Sequence, residues 1–381
     1  MRFRRIQLAN WRNFRHADVV LNQRAFVIGP NAAGKSNFLD AFRFLQDVAS
    51  VGGGLQKAIR ERGGTSRVRC LGARKYPDIE IAVEIEDDES QANLWKYKLA
   101  IHQDNNRRPL IRREEVFFND QPRLARPDDE DRADPERLSQ THLEQVNANK
   151  AFRDLVEFLA SIQYMHVVPQ LVRNPRLATD IGRIAIFGGD FLERLARATQ
   201  GRLASRLKRI EQALQIAVPN LRELRIERDD SGVPHLLGRY EHWRPNAGWQ
   251  NEAQFSDGTL RLMGLLWSVM DGRGPLLLEE PELSLHPAVV RFIPQMLHQA
   301  TKKTRRQLIL STHSPDLLRD EGIAPDETIL LRPTANGTDV SRAADDDEIL
   351  ALLEGGHSMA DAALPRTAPP APEQLSLLEV P

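Results

Sequence analysis

Apolar and polar residues follow regular patterns along the first fifty residues. Residues 3–8 and 19–21 have the composition of strands and lie on either side of the segment Asn10-Trp11-Arg12-Asn13-Phe14. Residues 25–28 form a short apolar run that enters a glycine–proline turn, as a buried strand does. From residue 37 to residue 48, apolar side chains recur at helical spacing. This part of the chain therefore predicts strands followed by a helix.

Later patterns predict an antiparallel sheet and a parallel core. Alternation over residues 79–85 predicts a half-buried antiparallel strand, with residues 95–99 as its hairpin partner. From Pro275 onward, the order apolar strand, turn, helix and apolar strand is typical of a parallel α/β core. The proline-containing segment 362–381 is expected to be a flexible tail.

Residues 191–218 predict a helix that is interrupted at Gly201, because their apolar side chains repeat every three, four or eight positions. The polar side of this helix is basic and carries Arg194, Arg197, Arg202, Arg206, Lys208 and Arg209. A surface for nucleic acid and a solvated helix face explain this basic side equally well.

Composition limits the class of protein. The 381 residues are 41% apolar and 28% charged, which is enough for a sizeable core. No apolar run approaches the roughly 20 residues of a membrane helix, and no secretory signal follows the basic N-terminus. The single cysteine, Cys70, excludes an intrachain disulfide and a cysteine-based zinc site. We therefore expect a cytoplasmic protein that does not enter a membrane.

The net charge of −1 conceals an uneven distribution. Residues 1–76 contain 15 Lys/Arg and 4 Asp/Glu, whereas residues 316–381 contain 4 Lys/Arg and 14 Asp/Glu. Such asymmetry allows a basic face that binds a polyanion, although charges that only solvate helices explain the same counts. The acidic run 345–348 is interpreted as the start of a helix over residues 349–353 rather than as a metal site.

A phosphate-binding loop is the strongest motif in the sequence. Residues 29–36 read Gly-Pro-Asn-Ala-Ala-Gly-Lys-Ser and fit G-x-x-x-x-G-K-[ST] between an apolar strand and a helix. Glycines let backbone N–H groups surround phosphates, and the helix N-terminus adds positive potential. Lys35 is expected to reach the β- and γ-phosphates, and the Ser36 hydroxyl is expected to bind Mg²⁺.

Two acids end an apolar strand farther along the chain. Leu276, Leu277 and Leu278 precede Glu279 and Glu280, which places both carboxylates where ligands bind in open α/β sheets. Glu279 is expected to hold Mg²⁺, and Glu280 is expected to orient the attacking water and accept its proton. Most Walker B strands, the acid-ended strands of P-loop ATPases, have Asp at the first of the two acidic positions, where this sequence has Glu279. A pair of solvated acids at a strand end is the alternative.

Two weaker features accompany the loop and the acids. Along the chain, the order is the phosphate loop, Ser256 and Gly258, the two acids, and then His313. Residues 307–315 predict a strand with His313 at its tip, which could sense the γ-phosphate, although a lone histidine at a strand end is usually structural. Ser256 and Gly258 precede the apolar helix 260–270, where their N–H groups could bind an anion. A simple helix cap at Ser256 or Asp257 is the alternative.

The order of these four motifs resembles that of ABC-type ATPases, with residues 256–258 as the signature turn and His313 as the switch histidine. Residues 6–14 and 29–37 resemble the RecF/SMC-like group within that class. Residues 279–287 are similar to the ATPase domains of overcoming-lysogenization-defect (OLD) nucleases and their stand-alone AAA_21-type relatives. Only 68 residues follow His313, so we do not expect the TOPRIM nuclease domain of OLD proteins here. A Q-loop has no secure place, and Gln170 is a weak candidate.

The resemblance implies an α/β P-loop NTPase fold, namely an ABC-ATPase head with an antiparallel β subdomain and a helical insertion lobe. It divides the chain into four regions. Residues 1–100 would hold the phosphate loop and the β subdomain, and residues 101–250 the helical lobe. Residues 251–345 would hold the signature turn, acids and histidine, and residues 346–381 the tail.

The resemblance also implies the ligands and the assembly. ATP and Mg²⁺ would bind at the loop, with Arg12 and Asn13 near the base or α-phosphate, and the loop would contribute Asn31, Ala32, Ala33, Gly34, Lys35, Ser36 and Asn37. Two heads would sandwich two nucleotides, so Ser256 and Gly258 would complete the site of the partner. ATP would then hold a homodimer closed, and hydrolysis would release it.

The C-terminal segment Gln374-Leu375-Ser376-Leu377-Leu378 resembles the bacterial sliding-clamp-binding peptide. Gln374 would hydrogen-bond at one subsite, and Leu377 and Leu378 would fill an apolar pocket. The usual final Phe is Leu here, which lowers the expected affinity. A disordered end, or packing of residues 375–378 on the ATPase, is the alternative.

Three functions are compatible with these features. The first is an ATP-driven switch that associates with DNA in repair or phage defence and works with a separately encoded nuclease or other effector. The second is a regulatory ATPase that controls a toxin or effector protein without DNA. The third is the ATPase subunit of a transporter. It fits poorly because the sequence has no clear Q-loop and because the segment Glu279-Glu280-Pro281-Glu282 argues against a transporter ATPase.

Overall fold

The structure is a computed structural model that describes residues 1–73, 78–87, 94–174, 191–197, 200–244, 248–302 and 304–368. Its strands are β1 (Arg2–Trp11), β2 (Phe14–Val20), β3 (Arg24–Ile28), β4 (Ile79–Glu86), β5 (Leu94–Gln103), β6 (Pro109–Phe118), β7 (Gln121–Arg126), β8 (Gln163–Met165), β9 (Leu221–Arg228), β10 (Pro234–Tyr240), β11 (Trp249–Asn251), β12 (Leu276–Glu279), β13 (Leu308–Thr312), β14 (Thr328–Thr334) and β15 (Gly337–Arg342).

The helices in the described residues are α1 (Lys35–Ala49), α2 (Leu55–Glu61), α3 (Thr65–Val68), α4 (Asp129–Ala133), α5 (Arg153–Ala160), α6 (Pro169–Arg173), α7 (Phe191–Arg197), α8 (Gln200–Ala217), α9 (Asp257–Met270), α10 (Pro287–Val290), α11 (Ile293–Lys302), α12 (Pro315–Leu318), α13 (Asp347–Glu354) and α14 (Met359–Ala363). Short 3₁₀ turns lie at Pro135–Ser139, Asn149–Phe152, Pro325–Glu327, Ala343–Asp345 and Pro365–Thr367. No helix within these ranges is both long and apolar enough to cross a membrane.

A mainly parallel sheet forms the centre of the molecule, with strand order β15-β14-β3-β13-β12-β8. β3, β8, β12, β13 and β14 run parallel, and β15 pairs antiparallel with β14. The strands that carry the motifs are apolar along their length because helices or another sheet cover both of their faces. This confirms the predicted α/β core and places the ends of β3, β12 and β13 at one edge.

An antiparallel sheet with order β2-β1-β4-β5-β6-β7 lies beside the central sheet. β4 shows the predicted alternation of burial, and β5 is its hairpin partner. The expected boundary at residue 100 lies inside β5, and β6 and β7 continue the same sheet. Residues 101–126 therefore extend the β subdomain and do not begin a helical lobe. Main-chain hydrogen bonds between neighbouring strands decide this boundary.

Two hydrophobic cores cover the two faces of the central sheet. Val27, Leu277 and Ile309 face a core shared with α1 and the antiparallel sheet. Their neighbours along the strands, such as Leu278 and Leu310, face a second core that includes α9. Because strand side chains alternate between faces, each motif-bearing strand is anchored from both sides. The loops at their ends therefore start from fixed positions.

The predicted helix between residues 191 and 218 is present as α7 and α8, but Gly201 does not interrupt it. Gly201 lies inside α8, and residues 198–199, between the two helices, lie outside the described residues. The side chains of Arg194, Arg197 and Arg202 also lie outside the described part of the structure. Arg206 pairs with Asp271 at 2.9 Å and lies over the Trp267 ring. It therefore belongs to an internal contact rather than to an open basic face.

The C-terminal region is ordered farther than the sequence predicts. Asp346 caps the N-terminus of α13, which agrees with the helical interpretation of the acidic run. Ala362 and Ala363 in α14 are fully buried, so the expected tail does not begin at residue 362. Apolar contact with α12 and α13 holds this segment. The clamp-like residues Gln374, Leu375, Leu377 and Leu378 lie outside the described residues.

Candidate nucleotide site

The loop of residues 29–36 joins β3 to α1 and exposes the N-terminus of a 15-residue helix. Gly34 caps α1 with φ of +97°, and Ala32 also has positive φ at +64°. The first N–H groups of a helix lack acceptors within it, so they point into the loop, together with the positive end of the helix dipole. The loop is therefore a preformed binding site for an anion.

Asn13, in the turn between β1 and β2, holds this loop from behind. Its Nδ2 donates to the carbonyl of Ala33 at 2.8 Å and to Oγ1 of Thr338 at 2.6 Å. Its Oδ1 accepts from Nδ2 of Asn37 at 2.8 Å, and the Trp11 indole donates to the Asn37 carbonyl at 2.8 Å. Asn13 thus fixes the shape of the phosphate loop.

Lys35 and Ser36 connect the loop to the two acids of β12. Lys35 is 7% exposed, and its Nζ donates to the Gly29 carbonyl at 2.9 Å. The same Nζ lies 3.6 Å from Oε1 of Glu280. The Ser36 hydroxyl donates to Oε1 of Glu279. The two motifs, more than 240 residues apart, therefore share one cluster.

Glu280 lies between a cation and the switch-like histidine. Its amide donates to the Ser311 carbonyl at 3.0 Å and continues the pairing of β12 with β13. Nδ1 of His313 lies 2.9 Å from Oε1 of Glu280. The carboxylate therefore contacts both Lys35 and His313, and an exposed His313 side chain closes the cluster toward solvent.

The sequence predictions gave no role at this site to three residues, Tyr164, His166 and Glu282. The Tyr164 hydroxyl donates to Oε2 of Glu279, and Nδ1 of His166 lies 3.3 Å from the Glu279 carbonyl. Tyr164 lies in β8, a strand of three residues, and His166 directly follows it. The parallel pairing of β8 with β12 places both residues beside Glu279. Glu282 accepts from Thr312 at 2.5 Å, and burial raises the pKa of its carboxyl group. For Tyr164 and His166, the available signal was the polar residues Gln163, Tyr164 and His166 before the apolar pair 167–168.

The weak Q-loop candidate, Gln170, is not part of the cluster. It is exposed in α6 and makes no hydrogen bond to either acid within the described residues. His166 is the residue between β8 and α6 that contacts the main chain of Glu279.

The signature-like turn lies beside the acids but not on the loop of its own chain. Oγ of Ser256 caps α9 by accepting from the Thr259 amide at 3.1 Å. A Cβ on Gly258 would come within 2.5 Å of the Ser284 carbonyl, so the turn packs against the segment after the acids. No hydrogen bond joins Ser256 or Gly258 to residues 29–36 in the described structure.

The donor set around Ser36 and Glu279 fits Mg²⁺. This ion prefers oxygen ligands and usually binds through one or two carboxylates together with water and substrate phosphates. Across the ranges that the structure describes, no group of three or more His, Cys, Asp or Glu forms a protein-only metal site. A hydroxyl and one carboxylate beside a phosphate loop are what a nucleotide-borne Mg²⁺ requires.

A basic cleft of about 1010 Å³ opens next to Asn13 and Asn37. Its lining includes four arginines: Arg12, Arg15, Arg67 and Arg69. Arg12 is fixed by donating to the Arg67 carbonyl and by pairing with Asp40, both at 3.3 Å. The cleft has the size, charge and position to hold the rest of a nucleotide whose phosphates lie on the loop.

Comparison with known proteins places this site in a family. Residues 24–319 match the model of the AAA_21 family, described as "AAA domain, putative AbiEii toxin, Type IV TA system". No curated protein sequence gives a significant match.

Two solved structures show the same fold. A crystal structure of an SMC head bound to the C-terminal winged-helix domain of ScpA has a TM-score of 0.53 at 14% identity, over 90% of this chain and 97% of that chain. An Smc head with an extended coiled coil, bound to the C-terminal domain of ScpA from Pyrococcus furiosus, has a TM-score of 0.51 at 12% identity, over 93% and 100%. The chain therefore belongs to the AAA_21 family, is a P-loop ATPase, and shares the fold of the SMC heads.

Proposed function

We propose that this chain is a cytoplasmic ATP-driven switch whose two copies close around ATP and separate after hydrolysis. The observation that carries the proposal is the position of the signature-like turn. Gly258 packs against Ser284, in the segment after the acids. Among the residues that the structure describes, Ser256 and Gly258 make no hydrogen bond to the phosphate loop of their own chain. A second copy would supply the turn that each loop lacks.

The clustered side chains suit phosphoryl chemistry on ATP. Lys35 would bind the β- and γ-phosphates, and Ser36 and Glu279 would hold Mg²⁺, which neutralises phosphate charge when bound. Glu280 would orient the attacking water and accept its proton, because the carboxylate lies at the end of β12 facing Lys35. His313 would contact the γ-phosphate and report its presence to Glu280.

ATP would favour the closed dimer because its γ-phosphate contacts both chains. A ligand shifts an equilibrium only through contacts that differ between the two states. In the separated state, the γ-phosphate meets one loop. In the closed state, it would also meet Ser256 and Gly258 of the partner, so hydrolysis would remove the contacts that hold the dimer.

Substitution of Glu280 by Gln tests this switch. The variant should bind ATP and turn it over roughly 100-fold or more slowly, since a general base typically contributes that much. Light scattering should then find a stable ATP-dependent dimer. The matched control carries Lys35→Ala as well and should remain monomeric. Monomers in ATP for both the wild type and Glu280→Gln would contradict the proposal.

We infer that the switch acts on DNA or on a separately encoded effector, in repair or phage defence. The excess of basic residues in residues 1–76, which contain 15 Lys/Arg and 4 Asp/Glu, supports an anionic partner. The similar SMC heads were solved with ScpA domains, which supports a protein partner. Recruitment to the sliding clamp through Gln374, Leu375, Leu377 and Leu378 stays a prediction.

The second candidate is a regulatory ATPase that controls a toxin or effector without DNA. The family description, with its reference to a type IV toxin–antitoxin system, favours this alternative. Measurements of DNA binding at several salt concentrations separate the two. A DNA-acting switch should lose affinity steeply as salt rises, because bound phosphates release counterions. Absence of binding at low salt, with and without ATP, would favour the regulatory ATPase.

A further inference from the structure

Glu279 departs from the usual aspartate at its position. The extra methylene adds a rotatable bond, so a free glutamate loses more side-chain entropy than an aspartate when it is held in one orientation. A metal-binding carboxylate must be held, because a ligand that rotates away from the ion weakens binding. Some neighbouring group has to restrict this side chain.

Both oxygens of the Glu279 carboxylate are already engaged within the chain. The Ser36 hydroxyl donates to Oε1, and the Tyr164 hydroxyl donates to Oε2. Tyr164 lies on β8, where it is the register partner of Leu277, two residues before Glu279. The phenol therefore extends along the edge of the sheet toward the carboxylate from a fixed main chain.

The ring of Tyr164 is itself held from α1. The Arg43 guanidinium lies 5.1 Å from the ring centroid, and Arg43 is 7% exposed. Its Nη1 lies 3.6 Å from Asp40, which also pairs with Arg62 at 2.8 Å. These contacts fix the phenol between the helix that begins at Lys35 and the strand that ends at Glu279.

We propose that Tyr164 is the positioning residue that holds Glu279 in its metal-binding orientation and so compensates for the length of glutamate. The proposal rests on the proposed metal role of Glu279. Because Arg43 links the phenol to Asp40, and Asp40 pairs with Arg12, the same contacts reach the basic cleft.

Replacement of Tyr164 by Phe removes only the hydroxyl and keeps the ring under Arg43. The measurement is the Mg²⁺ concentration that half-saturates binding of a fluorescent ATP analogue, which needs no turnover and no dimer. We expect this midpoint to rise roughly tenfold, since groups that orient a metal ligand typically contribute that much to metal affinity. In a Glu279→Asp background, Tyr164→Phe should leave the Mg²⁺ midpoint unchanged, because the shorter carboxylate cannot reach the phenol.

Tyr97→Phe is the matched control. Tyr97 is fully buried in β5, and its hydroxyl donates to a buried carboxylate, Glu114, at 3.3 Å. This variant should lose thermal stability while leaving the Mg²⁺ midpoint unchanged. Tyr164→Phe with a midpoint within twofold of wild type would overturn the inference, provided that Glu279→Ala raises it. If Glu279→Ala also leaves the midpoint unchanged, the metal role of Glu279 fails, and the inference fails with it.

Discussion

At the scale of single residues, Glu280 combines a strained backbone with contacts in the candidate site. Its φ is +43°, which a residue with a side chain rarely adopts. In this conformation its amide still donates to the Ser311 carbonyl at 3.0 Å at the end of β12. The turn directs the carboxylate to Lys35 and His313. Strained backbone is typical of positions where function, rather than stability, sets the conformation.

Gly34→Ala should abolish binding of ATP. The left-handed φ of +97° disfavours any side chain, and a new Cβ would overlap the Asn13 side chain that braces the loop. The control is Gly201→Ala, because Gly201 lies in α8 with open space around it and alanine favours helix there.

Isothermal titration with ATP checks both variants. We expect no measurable binding for Gly34→Ala and wild-type affinity for Gly201→Ala. Thermal unfolding separates loss of the site from loss of the fold. Wild-type affinity in a folded Gly34→Ala variant would contradict the role given to this glycine.

At the scale of elements, a buried ion network stabilises the antiparallel sheet. Arg126 at the end of β7 pairs with Glu114 of β6 at 3.0 Å and with Asp131 of α4 at 2.7 Å. All three side chains are fully buried. Burial alone would raise the pKa of Asp131, but hydrogen bonds from Arg126, the Asp128 amide and Arg137 outweigh it and lower the pKa well below its usual range.

Asp131→Asn should therefore destabilise the protein in a pH-dependent way. Breaking a buried pair typically costs about 3–5 kcal/mol. A carboxyl whose pKa is lowered by folding contributes stability above its unfolded pKa of about 3.9, and this contribution is lost as pH falls through the native value. The loss caused by Asp131→Asn should thus be full at neutral pH and shrink below about pH 4. Urea unfolding at several pH values measures it. A loss that does not vary with pH would contradict the ion pair.

The elements that the sequence predicted are those with local signals. The helix after Lys35 and the strands β3, β4, β12 and β13 have regular apolar periodicity. β8 has three residues, which is too short for a pattern, and its place depends on pairing with β12. The contact from Tyr164 to Glu279 spans 115 residues of sequence, so no local rule could predict it. The burial of Ala362 and Ala363 also depends on tertiary contacts, with α12 and α13, which the local sequence around them does not indicate.

At the scale of the whole molecule, the central sheet places the functional groups on one edge. The phosphate loop follows β3, the acids follow β12 and His313 follows β13, and these strands are parallel neighbours in the order β3-β13-β12. The signature-like turn reaches this edge from α9, in the core on the other face of the sheet from α1. We propose that one chain carries both halves of a shared site, because no hydrogen bond joins Ser256 or Gly258 to residues 29–36 in the described part of the chain.

Mixing two inactive variants tests this division most directly. Lys35→Ala should remove binding at the loop, and Ser256→Arg should block the signature-like turn, so neither variant alone should hydrolyse ATP. In a mixed dimer, one complete site remains, made of the loop of the Ser256→Arg chain and the turn of the Lys35→Ala chain. We predict that ATPase activity of the mixture rises clearly above the sum of the two variants measured alone. A mixture that stays as inactive as its components, with both proteins folded, would contradict the shared site.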